Sequence, residues 1–136
     1  MTGQTNRELI ERFYGQVWNQ WDADVAREIL SPDLVFRGSL GVDVNGHDGF
    51  LGYVALIRTA FPDFHNQIEE IVSEESHAAA RPTYSGTHQG ELFGRQVTEG
   101  AITYAGEAFF KFSEGKIDEF WVLGDRMALM EQINAP

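Results

Sequence analysis

The side chains of this sequence with the most chemical capacity are His88, Asp125, Arg37 and the tyrosines Tyr14, Tyr53 and Tyr84. His88 ends a strand-like stretch and shares its parity with Tyr84 and Pro82, which directs it to the mouth of any cavity that stretch lines. A neutral imidazole there would act as base or hydrogen-bond donor, since its unperturbed pKa is about 6.5. The competing assignment is a backbone hydrogen bond in the loop that follows. Asp125 comes directly after a strand-like run, where it is either a helix N-cap or a catalytic carboxylate. Tyr14 and Trp18 lie one helical turn apart. Such a stripe is core, or a ligand wall where the helix lines a cavity, with Tyr14 able to donate to a carbonyl. Tyr53 and Tyr84 either bring phenols into that cavity or are packed tyrosines with satisfied hydroxyls. Arg37, with Ser39 two residues on, could reach a carboxylate or enolate at the mouth.

Other chemistry is set aside by what is missing. The chain has no cysteine, so disulfides, thiolate nucleophiles and cysteine-based zinc sites are excluded. His47, His65 and His77 do not pair at metal-ligand spacing, and no metal is expected. No glycine-rich phosphate-cradling pattern occurs, so no nucleotide or other cofactor is expected. Acidic residues outnumber basic ones by 21 to 10, a net charge of −11 that repels phosphates and argues against nucleic acid. No apolar run approaches the roughly 20 residues of a membrane span. Met1-Thr2-Gly3-Gln4 opens no targeting pattern, so a cytoplasmic protein without membrane contact is expected. A length of 136 residues with 43% hydrophobic side chains suits one domain, read here as 1–136.

The elements that must position these groups follow from periodicity. Thr5 and Glu8 form a capping box, and Leu9, Ile10, Phe13, Tyr14, Val17, Trp18 and Trp21 then make a helical stripe. Asp24 is read as the cap of a short second helix ended by Ser31-Pro32-Asp33. Leu34-Val35-Phe36 reads as a short strand and Gly38 to Gly46 as loop. A third helix runs to Phe61, stopped by Pro62. Phe64, Ile68 and Val72 share a strand parity, and Ser73–Ser76 turns the chain. Ala78–His88 continues as a strand in which Pro82 marks an edge or bulge. After the connection Gln89–Gln96, alternation from Val97 to Phe112 predicts a half-buried strand with even positions inward. Glu107 then faces outward. Glu114-Gly115 marks a hairpin, and Ile117–Leu123 carries bulk on both faces, so both are expected to be covered. Asp125 precedes a last helix bearing Leu129, Met130 and Ile133. Helices grouped ahead of a meander argue α+β, with a cavity between sheet and helices.

Several strings in this order resemble the SnoaL-like polyketide and ester cyclase family, within the nuclear transport factor 2-like superfamily. They are Phe61-Pro62-Asp63, Gly86-Thr87-His88-Gln89-Gly90-Glu91, Gly115-Lys116-Ile117 and Trp121-Val122-Leu123-Gly124-Asp125. The likeness runs from about Glu8 to Ile133. It implies a cone-shaped α+β barrel, a curved and mostly antiparallel sheet wrapped around N-terminal helices. It also implies a homodimer through the outer sheet face and a small hydrophobic organic ligand in the cone. Family chemistry is acid/base work without metal or cofactor. Anchored on Gly115-Lys116-Ile117, the catalytic aspartate of the cyclases falls on Val122 and the assisting histidine on Ala108, neither of which holds a proton.

The expected pocket lining is Tyr14, Trp18, Phe36, Tyr53 and Tyr84, together with Ala108, Phe110, Phe120 and Val122. His88 is the first choice for a replacement acid/base group, with Tyr14 and Asp125 behind it. The functional expectation is a cofactor-free cyclase, isomerase, hydrolase or lyase acting on a small organic molecule. The alternatives are a non-catalytic binding module and an interaction domain whose cone is filled by its own side chains. A shifted titratable group in the cavity favours the enzyme. A cavity below about 300 Å³ favours the filled cone.

Overall fold

A computed structural model describes residues 5–92, 94 and 96–134. Met1-Thr2-Gly3-Gln4, read above for a targeting pattern, lie outside the described residues, as do Phe93 and Arg95 in the Gln89–Gln96 connection.

Thr5 caps α1 (Asn6–Arg12) with the expected box: Glu8 N donates to Thr5 Oγ1 at 3.1 Å, and Thr5 N donates to Glu8 Oε1 at 3.3 Å. The helix then widens into a π-helical segment, Phe13–Trp18, closed by Asn19 N donating to Tyr14 O at 2.9 Å. The second helix, α2 (Ala23–Ile29), begins two residues earlier than a cap at Asp24 implies. Asp22 is its cap, accepting from Val25 N at 3.1 Å. The expected short strand is longer, β1 (Leu30–Arg37), and the loop after it holds a three-residue strand, β2 (Asp43–Asn45). Then come α3 (Gly46–Ala60), β3 (His65–Ser73), β4 (His77–Thr87), β5 (Ala101–Ser113), β6 (Lys116–Gly124) and α4 (Arg126–Asn134).

The six strands form one curved, unclosed sheet in the order β2-β1-β6-β5-β4-β3. Only β1 and β6 run parallel; the other pairs are antiparallel. Pro82 stands at a bulge: Ile68 pairs with Pro82, but the next pair is Glu70 with Arg81. A residue without an N–H fits where the ladder is already broken.

The alternation in β5 is as the sequence predicts from Ile102 onward, with Ile102, Tyr104, Ala108 and Phe110 buried. The strand starts at Ala101 rather than Val97. Glu99 adopts a left-handed backbone, φ 59°, which breaks the extended run. Inside the cone, Phe120 gathers Phe13, Phe36 and Phe110 with ring centroids 4.7, 5.1 and 4.6 Å away. Each such phenyl contributes about 1.5–3 kcal/mol by leaving water. The outer face of β5 and β6 is not covered within the chain: Phe109 and Leu123 are 53% exposed and Trp121 39%. No helix among the described residues is long and apolar enough to cross a membrane.

Candidate functional site

The helices and the sheet meet at a chamber of about 10 Å³, room for about one water molecule. The π-helical segment places Tyr14 and Trp18 in its wall. From α3 comes Tyr53, whose ring lies where a side chain on Gly38 would be: a Cβ there would sit 2.4 Å from Tyr53 Cζ. From β4 comes Tyr84, fitted against Gly106 in the same way, with a Cβ there 2.7 Å from Tyr84 Cε2. Phe36, Phe120 and Val122 close the sheet side. These seven positions are those the sequence singled out.

Two others expected in the wall are elsewhere. Ala108 and Phe110 are fully buried but do not line the chamber. Phe110 packs behind Tyr14, ring centroids 6.2 Å apart. Lining residues the sequence reading did not place include Phe64, Ser39 and Asn66. Asn66 shares the parity of Phe64 and Ile68, the one signal that could have found it. Its N–H donates to Asn19 Oδ1 at 2.8 Å, and Asn19 Nδ2 donates to Asn66 O at 3.0 Å, tying the end of the π-helical segment to β3. Ser39 Oγ and Tyr104 Oη are hydrogen-bonded at 2.9 Å, both buried.

The electrostatics of the chamber are those of neutral donors. No Asp, Glu, His, Lys or Arg lines it. Burial raises the pKa of Tyr14, Tyr84 and Tyr104, because a phenolate there would lose its hydration. Tyr53 is pushed up to about 12, again chiefly by burial, against smaller opposing effects from Ser39, the Leu40 backbone, Arg126 and Arg37. All of these phenols are protonated near neutrality, so they donate hydrogen bonds and do not take protons. Tyr14 Oη and Tyr53 Oη are buried without a hydrogen-bond partner. Tyr53 Oη approaches Ser39 and Leu40 without the geometry of a bond.

His88 is not at the mouth. It is completely buried and clamps the connection into β5. Its Nδ1 lies 3.1 Å from Thr98 Oγ1 and accepts from Thr98 N at 3.4 Å. Its backbone N donates to Gly100 O, and Glu99 N donates to its carbonyl. The ring rests on Phe61 at 5.6 Å. The left-handed turn at Glu99 is what folds 97–100 back over the imidazole. Asp125 likewise caps α4, accepting from Ala128 N at 3.1 Å, and is not in the chamber. Arg37 spreads over the Trp121 ring, 5.0 Å from its centroid, and donates to Val122 O. Glu107 is exposed on the outer face. His47 bonds Leu30 O and His77 bonds Ser76 Oγ, both at 2.8 Å. No cluster of metal-ligating side chains exists among the described residues.

The family model for SnoaL-like polyketide cyclase matches residues 8–133. The fold is shared with a candidate SnoaL-like polyketide cyclase from Jannaschia sp. CCS1, at a TM-score of 0.88 and 20% identity, covering 100% of this chain and 99% of that one. It is shared with IdmH, a candidate polyketide cyclase from Streptomyces antibioticus, at a TM-score of 0.84 and 23% identity over 97% and 100% of the two chains. AclR, a candidate hydroxylase from Streptomyces galilaeus, is 28% identical with a TM-score of 0.81, over 96% of this chain and 81% of that one. None of the curated proteins matches in sequence.

Proposed function

Since the chain belongs to the SnoaL-like polyketide cyclase family, its model matching residues 8–133, we propose that its cone takes one small, largely apolar organic molecule and acts on it without metal or cofactor. The observation that carries this reading is unused hydrogen-bonding capacity inside an aromatic chamber. A buried hydroxyl left unpaired costs about 1–3 kcal/mol. Two of them in one chamber, on Tyr14 and Tyr53, are expensive unless something else occupies the site in use. Tyr14 and Trp18 also stand on a π-helical segment, a geometry that recurs at functional sites.

The chemistry is of the cyclase or isomerase type, run by donors. Val122 and Ala108 leave no carboxylate or imidazole where the family keeps its acid/base pair, so polarisation of a substrate oxygen by phenols is the means available. A ligand larger than a water is admitted by widening the chamber, and relaxing the wide π turn moves Tyr14 and Trp18 together.

Titration with small esters, epoxides and enolisable ketones, followed by backbone amide shifts, tests this. Shifts at Tyr14–Trp18, Tyr53 and Val122 support it. No response to any compound at millimolar concentration overturns it, as does a response confined to the outer face. A second reading, a cone filled by its own side chains, is favoured by the chamber volume alone, far below the roughly 300 Å³ of ordinary ligand sites. The same titration separates the two.

The outer sheet face belongs to this reading as a homodimer surface, since Phe109, Trp121 and Leu123 form an apolar patch. Light scattering at micromolar concentration should give twice the chain mass, and Trp121→Glu should return the monomer. A wild-type monomer under those conditions removes the dimer.

A further inference from the structure

The two idle hydroxyls come from different parts of the fold. Tyr14 is held on the π-helical segment by Phe13 and Phe110, ring centroids 5.3 and 6.2 Å away. Tyr53 is held on α3 by Phe36 and Trp18, at 5.2 and 6.1 Å. Both rings face a space that holds about one water, so one oxygen placed there meets both walls. The neighbouring polar groups are already engaged, Ser39 with Tyr104 and Asn66 with Asn19. Nothing in the chamber wall can supply an anion to these donors.

We propose that Tyr14 and Tyr53 form a two-donor site for a single ligand oxygen, and that this oxygen is the anionic oxygen of an enolate or phenolate. The inference rests on the cone-binding reading above and names the ligand class within it. Three features select an oxyanion over a neutral acceptor. The donors are neutral and fixed, so they need no reorganisation when charge appears. The site is walled mainly by buried aromatic rings, and the low local dielectric strengthens each hydrogen bond to charge. The charges that act on Tyr53 are both positive, from Arg126 and Arg37. Their guanidinium nitrogens come within 3.5 and 3.4 Å of the position a Cβ would take on Gly41, in the Gly38–Val42 turn beside Tyr53. Positive potential at that end offsets part of the cost of burying an anion.

The test uses 4-nitrophenol, whose ionised form has its own visible band, and 4-nitrotoluene, which has the same ring and nitro group but no phenolic oxygen. Wild-type protein should bind 4-nitrophenol at least tenfold tighter than 4-nitrotoluene, with the bound absorbance shifted to the phenolate band. Tyr14→Phe and Tyr53→Phe should each weaken 4-nitrophenol about tenfold to hundredfold, as expected for a hydrogen bond to charge. Both variants should leave 4-nitrotoluene within about threefold, since burial of the unchanged apolar ring drives that binding. Equal affinity for the two compounds, or a bound band of the neutral phenol, overturns the oxyanion site and leaves the cone reading standing. Binding of neither compound to wild type overturns both. If a variant fails to fold, the wild-type affinity ratio and absorbance band decide alone.

Discussion

Ala108 and Val122 face each other in register across β5 and β6, both fully buried. The family resemblance maps the histidine and aspartate of the cyclases onto these two positions. In this chain the pair is a methyl and an isopropyl group, side by side across the two strands.

Val122→Asp should therefore be tolerated geometrically but charged for electrostatically. Burial raises the folded carboxyl above its unfolded value of about 3.9. The part of the destabilisation that comes from ionisation is absent below that pH, grows as pH rises, and is complete above the raised folded pKa. A cost on the order of 2–4 kcal/mol at pH 7 is expected. Urea titrations at pH 3 and pH 7 check it: a gap as wide at pH 3 as at pH 7 contradicts the burial argument. A gain of cyclase or hydrolase activity in the same variant would show that the cone keeps the family's shape.

Tyr14→Phe and Tyr53→Phe should be at least as stable as the wild type. Each removes a buried hydroxyl that has no partner, which relieves about 1 kcal/mol rather than breaking a bond. Thermal unfolding measures this directly. A clear loss of stability in either variant would mean that its hydroxyl is engaged.

His88→Ala should cost on the order of 2–4 kcal/mol, because it empties a buried site against Phe61 and releases Thr98. Hydrogen exchange at the Thr98 amide, which donates to the imidazole, should accelerate. Unchanged stability and exchange would remove the clamp and reopen a role for this ring in chemistry.

Asp63 accepts from Thr87 N at 2.7 Å and from Thr87 Oγ1 at 2.8 Å. Partial burial pushes its pKa up, but the bonds from Thr87, with one from its own backbone, together outweigh that and hold the carboxyl below its ordinary value. A depressed folded pKa stabilises above the unfolded value of about 3.9 and is lost as pH falls through the lower folded one. Asp63→Ala should cost about 0.5–1 kcal/mol at pH 7, a figure discounted for the exposure of the carboxylate. The difference should vanish near pH 2, and a difference that persists there contradicts the assignment.

Much of this protein was set by the sequence alone. Period-two alternation fixed which residues of β5 and β6 face inward, because a one-residue slip would expose Phe110 and Phe120. The capping box at Thr5 and Glu8 is local, and local signals survive folding. Helices ahead of a meander argued α+β, the family resemblance supplied the cone, and one-turn spacing put Tyr14 and Trp18 on the same helical face. Tertiary structure decided the rest. Parity placed His88 beside Tyr84, but the side to which an end-of-strand residue turns depends on where the chain goes next. The left-handed backbone at Glu99 sends 97–100 back over the ring. The π-helical widening after Arg12 has no periodic signature, since it preserves the same apolar stripe. Which tyrosines are satisfied was equally hidden. Tyr104 finds Ser39 across 65 residues of sequence, whereas Tyr14 and Tyr53 find no partner, and only the packed cone determines that difference.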